Sequence, residues 1–207
     1  MDLNEKQIQI LVVAEELFAK KGFDGTSVRQ IAKEANINIA MISYYFGSKH
    51  KLLETLFIYR ISGFQMQITS ILSKKNSYTE KLDEIITVIV KRLHKNRHIH
   101  KIVSFEFSNV SRKLSFKNYT KLKEENFKAF TKFIKQGQEA GEFNKNVTIE
   151  LLITTILGTY FHFYYNQGFF ESLLQLENKT AVDQYVNNTL LTHVKQIIKS
   201  VLTCKSL

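Results

Sequence analysis

No proline occurs in the 207 residues, and glycine occurs only 8 times. Proline and glycine supply most tight-turn chemistry and most helix breaks, so a chain this poor in both cannot build an all-β domain of many short strands. It can build long helices, and the expected class is all-α. A hydrophobic content of 44% with 23% charged residues lies in the ordinary globular range, away from disordered or fibrous composition. The length suits one medium domain or a small domain joined to a larger one.

The single cysteine, Cys204, leaves no partner for an intramolecular disulfide or a cysteine-built metal site, which fits a reducing cytoplasm. Acidic residues precede the first apolar run and Glu15 and Glu16 interrupt it, unlike a signal peptide. No apolar run approaches the ~20 residues that span a bilayer, so no membrane insertion is expected. Formal net charge is +10, but residues 1–50 hold six Lys/Arg against six Asp/Glu. Residues 74–135 hold sixteen against six, which is the whole excess. Total charge therefore does not locate a nucleic-acid site.

Apolar residues Ile8, Leu11, Val12 and Phe18 follow a helical stripe over Glu5 to Lys21, which Gly22 ends. Thr26 and Ser27 open a second helix, and Ser27 to Gln30 has the form of a capping box. Asn36 is suited to a left-handed turn and Asn38 to capping a third helix from about Ile39 to Phe46. Gly47-Ser48 breaks that helix and starts a long fourth one, running through Leu52, Leu53, Leu56, Phe57, Ile61 and Phe64. Further helices are expected at Tyr78 to Lys95, Ile99 to Asn109, Lys117 to Ala140, Thr148 to Tyr165 and Ala181 to Leu202. Ser77 to Glu80 forms a second capping box, and Gly141 a stop.

Two short helices joined by a four-residue turn behind a supporting helix make a helix-turn-helix. In detail, GFDGTSVRQIAKEANINIAMISYYFGSKHKLL resembles the N-terminal domain of the tetracycline-repressor (TetR) family of bacterial transcription regulators. The resemblance rests on Gly22-Phe23, on Thr26-Ser27-Val28-Arg29-x-Ile31-Ala32, on Tyr44-Tyr45-Phe46, and on Ser48-Lys49 with Leu52 and Leu53. It covers roughly residues 5–57. Asn36 departs from the glycine usual there, and Ser43 from a tyrosine that is often present. A shorter similarity, Glu139 to Phe143, falls at the junction of the family's seventh and eighth helices. The resemblance implies a DNA-binding domain at 1–50 and a helical ligand-binding and dimerisation domain at 51–207.

Within the third helix, Ile42 and Phe46 lie four apart and are expected to pack on Ile31 and the first helix. By resemblance, the remaining edge meets bases and phosphates. Ala40 and Met41 offer apolar contact to thymine methyls, Asn38 and Ser43 offer hydrogen bonds, and Ile39 completes the edge. Tyr44 and Tyr45 can donate to phosphates, with Tyr45 left open between that role and inward packing. Thr26 and Ser27, Lys49 and Arg29 complete the candidate DNA set. No arginine lies on the third helix, so apolar and shape readout should carry much of the specificity.

The resemblance further implies a homodimer through the last two long helices, a double-stranded operator, and a small, mainly apolar effector that releases a repressor. Thirteen of sixteen phenylalanines lie beyond residue 50, and Phe105, Tyr160, Phe161, His162 and Tyr164 are candidate pocket walls. His94, His98 and His100 lack neighbouring acids or cysteines and read as an exposed basic junction rather than a metal site. No serine-nucleophile, paired-carboxylate or phosphate-loop motif stands out, so neither enzyme nor cofactor is expected. The rival reading is a basic helical protein docking on an anionic membrane or a protein through residues 74–135.

Overall fold

The computed structural model describes residues 3–108 and 116–203, and among these every regular element is helical. The end of the expected Ile99 to Asn109 helix falls outside the described residues. By contacts the chain divides into two compact units. The first joins Met1–Gly63 to Asn96–Glu125, and the second joins Phe64–Lys95 to Asn126–Leu207. Residues 51–63 and 96–125 thus group with the first fifty.

The first unit opens with α1 (Glu5–Lys21), α2 (Val28–Glu34), α3 (Ile39–Phe46) and α4 (Lys49–Ile61). Asn4 and Gln7 exchange side-chain and backbone hydrogen bonds in a capping box at the start of α1. Ser27 accepts from the Gln30 amide at 3.1 Å, but the Gln30 side chain donates to Glu34 at 3.1 Å, one turn on. Only half of the expected box therefore forms. Asn36 takes the left-handed conformation (φ 50°) that the turn requires. α4 ends at Ile61 instead of continuing through Phe64, because Gly63 turns the backbone to φ 77° and a new helix begins.

The core of this unit gathers Ile10, Leu11 and Phe18 of α1, Ile42 and Phe46 of α3, and Leu53 and Phe57 of α4. α7 (Arg97–Ser108) and the start of α8 (Lys117–Glu139) complete it through Ile99, Ile102, Phe116 and Tyr119. Burial beside Phe57 pushes the Tyr119 phenol up to about 12. Two buried carboxylates are paired: Glu15 accepts from Arg60 Nε at 2.7 Å, and Glu54 accepts from Lys51 Nζ at 3.1 Å and the Asn118 amide at 3.2 Å.

The second unit contains α5 (Phe64–Leu72), α6 (Tyr78–Lys95), the rest of α8, α9 (Ile149–Tyr165), α10 (Gln167–Leu174), α11 (Lys179–Gln184) and α12 (Leu191–Thr203). α11 and α12 are joined by a π-helical turn, Tyr185–Leu190, in which the Leu191 amide donates to the Val186 carbonyl five residues back. α10 was not foreseen, and no residue of it is buried. α6, α9 and α12 pack on one another around Ile86, Ile156, Tyr160 and Val194.

Glu142 holds the start of α6. Its carboxylate accepts from the amides of Tyr78 and Thr79, both at 3.0 Å, beside the expected Ser77–Glu80 box. The Tyr78 amide keeps the Glu142 carboxyl below its ordinary range, against the opposing effect of burial and with further help from Thr79 and the charge of Lys81. Glu139 to Phe143 thus has a structural job: Gly141 turns at φ 78°, Glu142 caps, and the Phe143 ring is edge-on to Phe133 and Tyr78.

Candidate nucleic-acid interface

Three local features aim the first unit's polar surface. Ser27 caps α2, Asn38 caps α3 by accepting from the Ala40 amide at 2.8 Å, and Ser48 caps α4 by accepting from the Lys51 amide at 3.1 Å. Ile42 and Phe46 are 1% and 7% exposed, which anchors α3 on the core by the stripe expected from the sequence. The opposite edge is open. Ala40 and Ser43 are exposed, Ile39 is 42% exposed, Met41 is half-buried, and Tyr44 is 84% exposed.

Tyr44, 84% exposed on a helix fixed by two buried anchors, is not part of the first unit's core and offers its hydroxyl as a donor. Its ring meets Tyr45 edge-on at 5.1 Å. Tyr45 is half-buried and packs on the core, so of its two open roles the inward one occupies at least part of the ring. The α3 edge carries no charge of its own, and the nearby cations come from other helices. Arg29 of α2 is exposed, Lys51 is held by Glu54, and Lys49 lies 4.2 Å over the Phe23 ring.

The expectation for Thr26 needs correction. Its side chain is fully buried, and its hydroxyl donates to the carbonyls of Gly22 at 2.8 Å and Leu17 at 3.2 Å, so it ties the end of α1 instead of facing a partner. Asn38 has its side-chain oxygen committed to the α3 cap, which leaves its amide group facing outward as the available donor. Lys51, on the first turn of α4, is tied to buried Glu54 at 3.1 Å, a pairing that the Lys-x-x-Glu spacing allows.

Four of the five expected pocket walls lie together on one helix, with the Tyr160 ring 5.7 Å from Phe161 and 6.1 Å from Tyr164, and Phe105 stands apart. Phe105 belongs to the first unit and is exposed, whereas the other four lie on α9 of the second. Tyr160 is fully buried, Phe161 and Tyr164 are half-buried, and His162 is exposed with its ring edge-on to Phe170. An open groove of about 510 Å³ between α5 and α6 is lined by Met66, Ile71, Val88 and Lys195 among others, and by none of these aromatics. His94 also departs from the exposed junction expected of it: it is buried, with Nε2 2.7 Å from Asp183 and Nδ1 3.1 Å from the Tyr160 hydroxyl. No group of three or more metal-ligating side chains occurs among the described residues, and no described helix is long and apolar enough to cross a membrane.

Residues 10–56 match the family model of bacterial regulatory proteins of the tetR family, and residues 79–196 that of the tetracyclin repressor-like C-terminal domain. A Bacillus subtilis (strain 168) protein described as "Probable HTH-type transcriptional regulator YttP" is 33% identical over 137 residues, which are 65% of this chain and 66%, just under two thirds, of that one. The "Fatty acid metabolism regulator protein" of the same organism is 25% identical over 154 residues, 74% of this chain and 79% of that one. Among solved structures, the transcriptional regulator FadR from Bacillus subtilis in complex with stearoyl-CoA superposes with a TM-score of 0.73 at 19% identity, covering 94% and 98% of the two chains. With both family models matched in order and the helix-turn-helix formed, the chain belongs to the TetR family of bacterial regulatory proteins.

Proposed function

We propose that the protein is a homodimeric repressor acting in the cytoplasm, which binds a palindromic operator and leaves it when a mainly apolar effector binds the second unit. The carrying observation is the α3 edge, uncharged, rigidly anchored and crowned by Tyr44. Ile39, Ala40 and Met41 would meet base edges, Asn38 and Ser43 would hydrogen-bond, and Ser27, Arg29, Tyr44 and Lys49 would hold phosphates, with Tyr45 in partial support. One such helix reads too few bases to be selective, and two-fold pairing remedies this.

Support for pairing comes from α9 and α12. Between Leu151 and Tyr165 there is no Asp, Glu, Lys or Arg, in a chain that is 23% charged. Thr154, Thr155 and Thr159 donate their hydroxyls to carbonyls four residues back, so their polar groups are satisfied within the helix. With Gly158 they make a small, uncharged surface on which another helix can lie closely. The exposed side of the C-terminal helix, Thr192, His193, Gln196 and Ser200, is uncharged as well.

For the effector we propose an amphipathic anion of the long-chain acyl-thioester class. The solved relative was found with stearoyl-CoA, and within the second unit residues 74–95 and 126–135 hold nine Lys/Arg against three Asp/Glu, an excess that suits a phosphate-bearing head group. Phe161, His162 and Tyr164 beside Tyr160 remain the candidate walls for its apolar part. The test is selection of duplex DNA from a random pool by the full chain, followed by titration with stearoyl-CoA. A palindromic sequence and weakened binding on titration support the proposal. Selection of an asymmetric site counts against the dimer, and unchanged binding counts against the effector class.

A further inference from the structure

The second unit contains a buried polar chain that neither DNA reading nor dimerisation uses. Asp183 of α11, His94 of α6 and Tyr160 of α9 are linked through 2.7 Å and 3.1 Å hydrogen bonds. With a carboxylate accepting at Nε2, the imidazole carries a proton there, and its Nδ1 shares the second hydrogen bond with the Tyr160 hydroxyl. The chain runs from a carboxylate that is 40% exposed to a tyrosine with no exposure at all. At its inner end the Tyr160 ring stacks on Tyr164 at 6.1 Å and meets Phe161 edge-on at 5.7 Å.

The π-helical turn explains how Asp183 comes to be there. Val182 and Val194 are twelve residues apart, an offset of about 120° around a regular helix. One residue absorbed by the wider turn reduces this to about 20°, so that Val182 and Val186 continue the buried stripe of Val194, Ile198 and Leu202. Asp183 travels with Val182 and is carried to His94. The Asp183 carbonyl accepts from the Asn187 side-chain amide at 2.7 Å, which satisfies a backbone group at the distorted turn. Such turns are costly and recur at functional sites.

His94 is the last residue but one of α6, and with Asn96 the chain enters the stretch that belongs to the helix-turn-helix unit. We infer that Asp183–His94–Tyr160 is a relay that fixes the last turn of α6, with His94 a positioning residue for operator binding and Tyr160 the point at which a change in the α9 aromatic wall is read. This deepens the proposed effector response and rests on that reading, because an occupant that displaces Phe161 or Tyr164, or takes the Tyr160 hydroxyl with an acceptor oxygen, opens the relay.

The experiment measures binding of the full chain to the DNA selected from the random pool, without any effector, for Tyr160→Phe, Asp183→Asn, His94→Gln and the double variant Tyr160→Phe/Asp183→Asn. Ile156→Val, a core truncation one turn before Tyr160 on α9 that leaves all three polar groups of the relay in place, is the control for lost stability. The relay predicts at least about a fivefold change in operator affinity for each single variant. The double variant should show no more than its larger single, because two breaks in one chain act once. Ile156→Val should stay within about twofold. Relay variants that are folded by circular dichroism at the assay temperature but bind as the wild type does, or a control that moves binding equally, overturn the inference. Should Asp183→Asn not fold, Tyr160→Phe decides alone, since it keeps the ring. A wild type that selects no DNA overturns both readings, whereas binding that the variants leave unmoved overturns the relay only.

Discussion

In the proposed function, Tyr44 and Met41 divide the labour of recognition between neighbouring residues on one helix. A hydroxyl on a phosphate helps every sequence alike, so Tyr44→Phe should weaken specific and random duplex binding by a similar factor, measured by fluorescence anisotropy. Met41→Ala removes apolar contact to bases and should narrow the gap between selected and random DNA by about 1 kcal/mol while leaving random binding unchanged. Ile42 and Phe46 were legible beforehand because their burial follows from helical spacing. Thr26 was not, since its partner at Leu17 is a carbonyl reached across a turn, and neither residue type nor period announces it. The His94–Asp183 pair spans 89 positions and depends on an irregular turn, which no local pattern encodes.

Helix boundaries show a similar division between what is local and what is not. Ser27, Asn38, Ser48 and Ser77 cap where their residue types said they would, because capping is decided within one turn of chain. The break at Gly63 was missed because the apolar stripe of α4 runs on into Phe64, while α10 was missed because it buries no stripe at all. Two measurements belong at this scale. The carboxyl of Glu142 is held low in the folded protein, so its contribution is complete above the ordinary glutamate value and fades as pH falls through the lower folded value. The gap in melting temperature between wild type and Glu142→Gln should therefore be widest near neutrality and close in acid. At Gly137 of α8, a Cβ would stand 2.2 Å from the Phe143 ring, so Gly137→Ala should cost about 1 to 3 kcal/mol in urea denaturation despite its better helix propensity.

Over the whole molecule, the sequence announced an all-helical chain with a helix-turn-helix in front, because absent proline and a dense run of local motifs are both read along the chain. What it did not disclose was which segments fold together, since Ile99, Ile102, Phe116 and Tyr119 look like any apolar helix residues until their burial beside α1 and α4 is seen. Assembly is the test proper to this scale. Gly158→Arg places a charge in the uncharged α9 surface, and sedimentation should show a dimer reduced to monomers with the far-ultraviolet spectrum intact. Operator binding should fall by at least about tenfold with it, because two half-sites are then read independently.

The return of residues 96–125 to the first unit also sets a rule for anyone who would cut or splice this gene. A fragment ending at residue 63 leaves α1 and α4 bare where α7 and Phe116 should lie, and it should bind apolar dyes and precipitate. Hybrid regulators made by exchanging heads with a relative should fold only if both stretches of the first unit are exchanged together, so this DNA reader is portable as a two-part cassette and not as a simple leader.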